Sequence, residues 1–151
     1  MSARYLVIDG HSVIFAWHDL RRLHDQNRAA ARKALADKLQ HLHDTTAWRV
    51  TLVLDGKLGT AVPVGKRKPT DMVISYATAD QTADSIIERL VAASGVAGEI
   101  LVITADEAEK LTVEALGAEA ASPDWLRRKL EEEGISFKGE LDRVHRSAGW
   151  K

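Results

Sequence analysis

The sequence predicts an α/β protein: a mostly parallel sheet between two layers of helices, a three-layer α/β/α sandwich. Two observations carry this. Tyr5 to Ile8, Val50 to Leu54 and Ile100 to Ile103 are short, almost wholly apolar runs, the pattern of strands buried on both faces. Between them lie segments whose apolar residues recur at threes and fours, the period of an amphipathic helix. A chain of 151 residues fits a single domain with one substantial core, and 1–151 is expected to be one such unit with a tail from about residue 138.

The first strand stops at Asp9, and Gly10 allows a tight turn. Val13, Ile14, Trp17, Leu20 and Leu23 predict a helix over 13–24, interrupted by Gln26 and Asn27. The Ala-rich run from Arg28 to about His43, with Leu35, Leu39 and Leu42, predicts a second helix. The second strand ends at Asp55-Gly56, and 57–71 reads as a loop carrying Gly59, Pro63, Gly65 and Pro69. Met72 to Tyr76 is the expected third strand, 78–81 a turn, and Thr82 to Ala93 a helix with Ile86, Ile87, Leu90 and Val91 inward. The next strand, Ile100 to Ile103, runs into Thr104-Ala105-Asp106, and a helix follows to about Leu116. Glu119 to Ala121 is a short edge strand. Ser122-Pro123-Asp124 opens the last helix with a Ser N-cap, a proline in the first turn and an early acid.

Composition narrows the function classes. There is no cysteine, so disulfides and thiolate metal sites are excluded. The six histidines form no zinc pattern. No apolar run reaches the roughly 20 residues of a membrane span, and no cleavable leader is evident, so a cytoplasmic location is expected, with a monomer the default. Net charge is −1, yet Lys57, Lys66, Arg67 and Lys68 gather in the 57–71 loop, and Arg143, Arg146 and Lys151 lie near the C-terminus. An acidic cleft with basic rims binds a polyanion at near-zero net charge. Two solvated charge clusters are the plain alternative.

In a parallel sheet the carboxyl ends of the strands share one rim, so Asp9, Asp55 and Asp106 are brought together there. Asp84, in the first turn of the helix after the third strand, points at the same rim. Each acid has a simpler reading: Asp9 can cap a helix, and Asp84 can complement a helix dipole worth about 0.3–1 kcal/mol. Taken together, the carboxylates repel unless a hard divalent cation such as Mg²⁺ or Mn²⁺ joins them. Such a cation at such a rim points to metal-assisted phosphodiester hydrolysis.

The motifs Asp9-Gly10-His11-Ser12, Val53-Leu54-Asp55, Gln81-Thr82-Ala83-Asp84 with Ile87-Glu88, and Thr104-Ala105-Asp106 with Glu109 resemble the YacP-like branch of the NYN domains, relatives of the PIN-domain nucleases. The resemblance runs in order from about Arg4 to Leu130. It implies a PIN-like α/β/α sandwich and a metal-dependent endoribonuclease, in some members ribosome-associated and cutting mRNA. Carried over by position, Asp9, Asp84 and Asp106 match the metal-binding aspartates, and Asp55 matches an acid lining the site. Ser12 stands where the family commonly has Asn, and Gln81 where a glutamate often begins the Thr-Ala-Asp motif. Gln81 brings no charge, so cation affinity is expected to be lower than with four acids.

Thr82 is expected as a helix N-cap, Thr104 as an orienting group for Asp106, and His11 as a neighbour of the substrate. Trp17 and Trp125 fit apolar helix faces. Lys66, Arg67 and Lys68 are the expected contacts to an RNA backbone, fixing the strand without reading its sequence. Two other readings compete with a nuclease on single-stranded RNA. One is an RNA- or ribosome-binding module with a weakened metal site, favoured by Ser12 and Gln81. The other is a small-molecule phosphatase, against which the basic loop argues.

Overall fold

The computed structural model describes residues 4–56, 67–78 and 80–136. Five strands, β1 (Tyr5–Asp9), β2 (Arg49–Asp55), β3 (Val73–Ala77), β4 (Ile100–Ile103) and β5 (Glu119–Ala121), form one sheet in the order β3-β2-β1-β4-β5. Every pairing is parallel, as the buried apolar runs require. β1 is central, with Ile8 opposite Leu52 on one side and Ile103 on the other. Helices α1 (Gly10–Ala16), α2 (His18–Gln26), α3 (Arg28–Thr45) and α6 (Pro123–Glu132) cover one face. α4 (Ala83–Ala93) and α5 (Glu107–Ala115) cover the other, around Ile87, Val91 and Val113. The result is the expected three-layer α/β/α sandwich. The 57–66 part of the loop, the tail from about 138, and with them Lys57, Lys66, Arg143, Arg146 and Lys151, lie outside the described residues.

The expected helix over 13–24 is two helices. Asp9 caps α1 directly, accepting from the Ser12 amide, so the helix starts at Gly10. It ends at Trp17, which is extended (φ −96°, ψ 118°) and buried. The break turns the indole inward, where Nε1 donates to the Pro123 carbonyl at 3.1 Å. The Arg127 guanidinium lies 5.0 Å from the indole ring centre and forks onto Asp19 at 2.7 and 3.1 Å. Sequence periodicity alone reads through such a break, because Val13, Leu20 and Leu23 keep the helical spacing on either side.

Gly10 is needed for a different reason from the expected turn. Its φ is not positive; what matters is close approach. A Cβ there would stand 2.5 Å from a Leu54 methyl, 3.0 Å from the Val53 carbonyl oxygen and 3.1 Å from a Leu52 methyl. The glycine lets α1 lie against β2 and keeps Asp9 at the rim. Gly10→Ala is therefore expected to destabilise the fold by about 1–3 kcal/mol, the range for overpacking a close-packed core. Urea unfolding of the variant beside the wild type measures it, and a change within the error of the method would mean Leu52 and Leu54 simply move aside.

Candidate active site

The sheet rim opens into a cavity of about 660 Å³ lined by Asp9, Ser12, Asp55, Thr82, Asp84 and Asp106, with His11 and Phe15 at one side. The four aspartates expected from the sequence thus face one space. Asp9 is 6% exposed, which is rare for a carboxylate unless donors surround it. Ser12 Oγ donates to Oδ2 at 2.8 Å, and the Ser12 amide donates to Oδ1 at 3.3 Å. The fully buried Thr104 adds a long hydroxyl contact to Oδ2 at 3.4 Å. A serine in place of asparagine therefore serves as a hydroxyl donor to the carboxylate.

Thr104 also accepts from the Asp106 amide at 3.1 Å, so one hydroxyl spans Asp9 and Asp106. Asp106 itself caps α5, accepting from Ala108 N at 2.9 Å and Glu109 N at 3.3 Å. One of its carboxylate oxygens serves as the cap acceptor, and the residue as a whole remains exposed. Thr82 caps α4 through a capping box with Ser85 and lines the cavity at the helix start. Two helix N-termini, of α4 and α5, thus face a space crowded with negative charge, the favourable orientation of their dipoles.

The crowding is visible in the acids. Burial pushes the Asp84 carboxyl up, and the charges of Asp9, Asp106 and Glu88 add to it. Glu109, three residues after Asp106, is 3% exposed, and its Oε1 has no hydrogen-bond partner. Burial raises its pKa to about 9, helped by a hydrogen bond with Glu88 and by the charges of Asp84, Glu88 and Asp106. Glu109 and Glu88 were part of the family motif, yet sequence reasoning gave neither a role. An acid in the first turn of a helix reads as a dipole partner, and only burial distinguishes this one.

Asp55 lines the cavity but is already engaged. The buried Arg32, reaching from α3, pairs with Oδ1 at 2.9 Å and donates to the Asp55 carbonyl at 3.0 Å. The acid on this side of the cavity is thereby neutralised. Gln81 does not line the acidic cavity at all. It faces a groove with Tyr76, Ile86 and Arg89. In the amide orientation that satisfies both its ends, its nitrogen donates to Thr78 Oγ1 at 3.0 Å and its oxygen accepts from Arg89 at 3.2 Å. Of the three expected RNA contacts, Lys66 lies outside the described residues. Arg67 donates to the Met72 carbonyl, and the amide of the exposed Lys68 donates to Asp71 at 2.8 Å.

Oxygen donors, an unpartnered buried carboxylate oxygen and raised carboxyl pKa values are the chemistry that suits a hard divalent cation. Among the described residues, however, no three His, Asp or Glu side chains are drawn into a formed metal cage. Mg²⁺ does not require one, since one or two carboxylates and several waters complete its shell.

The family model for the YacP-like NYN domain matches residues 6–150. The chain belongs to the YacP-like NYN domain family. That family is part of the PIN-like nuclease superfamily, whose members generally use divalent metals. The chain is 30% identical over 129 residues to the protein YacP of Bacillus subtilis (strain 168), spanning 83% of this chain and 74% of that protein. It is also similar to the crystal structure of Rae1 (YacP) from Bacillus subtilis. There the TM-score is 0.72 at 26% identity, covering 98% of this chain and 82% of that one. The W164L mutant of Rae1 gives a TM-score of 0.70, with 97% and 84% covered.

Two outcomes follow from this NYN site. In the unfolded chain Glu109 releases its proton near 4.5, whereas in the fold it holds it to about 9. Between those values the folded protein binds the extra proton, so stability falls as pH rises through the window. Glu109→Gln removes the titration. In chelator the variant should exceed the wild type by about 1–2 kcal/mol near pH 8, with the gap closing toward pH 4.5. Urea melts at both ends of the window measure this, and a gap independent of pH would mean another group titrates. The second concerns Gln81→Glu, which should pair with Arg89 and leave the magnesium midpoint of any metal-dependent signal unmoved. A clear tightening in a magnesium titration would return Gln81 to the cation's surroundings.

Proposed function

We propose that this NYN domain is a divalent-metal-dependent endoribonuclease that hydrolyses phosphodiester bonds in single-stranded RNA, with mRNA on the ribosome as its substrate in a cytoplasmic setting. The observation that carries the reading is the single cavity onto which Asp9, Asp84 and Asp106 open, with the carboxyl pKa values of Asp84 and of the neighbouring Glu109 raised. Membership of a nuclease superfamily supports it independently. No helix among the described residues is long and apolar enough to cross a membrane.

In this reading Asp9, Asp84 and Asp106 hold the cation, Mg²⁺ or Mn²⁺. When bound, it would polarise the scissile phosphodiester and stabilise the charge developing on the leaving oxygen. Ser12 and Thr104 fix the Asp9 carboxylate by hydroxyl donation, and Thr104 ties Asp106 to the same point. Asp84 contributes negative charge, and Glu109 adds to it once its proton is displaced. Asp55, neutralised by Arg32, shapes the wall and repels the RNA backbone less than a bare carboxylate would. Thr82 orders the start of α4, and His11 stands beside the substrate's path. Lys66, Arg67 and Lys68 meet the RNA backbone.

A second reading, an RNA- or ribosome-binding module without turnover, is favoured by one observation: the described carboxylates form no tight group of three. RNA cleavage in magnesium separates the two. Asp9→Asn and Asp106→Asn should each lower cleavage by more than about a hundredfold, beyond what loss of an outer-shell partner costs, while circular dichroism stays native. Full activity in both variants would sink the nuclease reading. RNA binding without cleavage by the wild type, across a magnesium and manganese titration, would leave the binding module.

A further inference from the structure

Beside the acidic cavity lies a smaller one of about 130 Å³, and the two share His11, Phe15 and Asp55. Its character is opposite. Phe15 is 36% exposed, although its α1 neighbours Val13 and Ile14 are buried in the core. The imidazole of His11, one helical turn earlier, lies 4.4 Å from the Phe15 ring centre at an interplanar angle of 32°. His24, from α2, meets the same ring edge-on at 4.9 Å. Arg28, at the start of α3, lines the same cavity and is exposed. Burial and then the charge of Arg28 push the His24 pKa down, which favours the uncharged imidazole.

An exposed phenylalanine held between two imidazoles contributes little to the core, and its solvent exposure is unfavourable. Three rings with one outward cation at their end match how proteins hold unpaired nucleotides. A base lies against aromatic surface while its phosphate meets an arginine. Arg32 in the same cavity is bound to Asp55, which leaves Arg28 as the outward cation among the described residues that line it.

We propose that the His11, Phe15 and His24 shelf, with Arg28, is a nucleotide subsite holding the base and phosphate next to the bond cleaved in the acidic cavity. The subsite rests on the reading that single-stranded RNA occupies that cavity. Aromatic stacking accepts any base but requires it unpaired, so the shelf selects single strands without reading sequence. It also fixes the path of the strand, which crosses from the shelf onto the acidic centre.

The test is equilibrium binding of a labelled single-stranded RNA oligomer to the whole protein in chelator, where no cleavage occurs. An oligomer of the same length with abasic ribose throughout serves as the comparison. Phe15→Leu should weaken RNA binding about tenfold, within the range for loss of one stacked base, and leave the abasic oligomer unaffected. Phe15→Trp keeps a ring and should bind RNA as tightly as the wild type or tighter. Arg28→Gln should flatten the log–log salt dependence by about 0.7, one phosphate contact. Equal RNA affinity for Phe15→Leu and wild type would overturn the proposal. So would an equal loss of Phe15→Leu affinity for the RNA and the abasic oligomer. The two readings fail separately. Phe15-dependent binding without metal-dependent cleavage would remove the nuclease and leave the subsite. Cleavage with Phe15-independent binding would remove the subsite alone.

Discussion

β1 is hydrogen-bonded to β2 on one edge and to β4 on the other, and both of its faces are covered by helices. A carboxylate at the end of such a strand cannot swing into bulk water, and the ends of its neighbours deliver further acids to the same rim. The local architecture answers that concentration of charge in three ways. Asp9 is met by hydroxyl and amide donors, Asp55 by a buried guanidinium, and Glu109 by a retained proton. The first two answers are built from fixed side chains. The third is exchangeable, since a proton held by burial and by negative neighbours yields to a cation that offsets both.

The sheet and its acids were legible in the sequence because both obey short-range rules. Buried parallel strands are apolar runs, and Asp9, Asp55 and Asp106 stand at or just past their ends. Thr82 and Ser122 were legible as caps for the same reason. What escaped was set by tertiary contact. Arg32 sits inside an Ala-rich helix and looks like a solvated surface residue until α3 is laid beside the end of β2. Gln81 opens the motif that leads to Asp84, but it precedes the helix and turns toward Arg89 instead of the acids. Phe15 falls outside the apolar stripe of Val13, Trp17 and Leu20, yet nothing local says that His24 of the next helix meets its ring.

Net charge of −1 conceals a polarised surface at this rim. Asp9, Asp84 and Asp106 gather on the side of α4 and α5, whereas His11, His24, Arg28 and Arg32 gather on the side of α1 to α3. The boundary is the Arg32–Asp55 pair, whose aspartate lines both cavities and whose arginine lines the smaller one. Without that pair the two fields would meet across a bare carboxylate. With it, a polyanion approaching from the basic side encounters negative charge only where the chemistry is proposed to occur.

The break at Trp17 makes α1 a strut of two turns fastened at both ends. At its head, Ser12 is tied to Asp9, and at its foot the Trp17 indole is latched to the Pro123 carbonyl. His11, Ser12 and Phe15 all ride on this strut, so their common orientation is decided partly by a contact more than a hundred residues away in sequence. The N-terminal end of α6, which touches none of the acids, thereby acts as an anchor point for the cleft. Drift in that remote corner of the molecule would be felt first as misalignment of α1, well before the sheet itself yields.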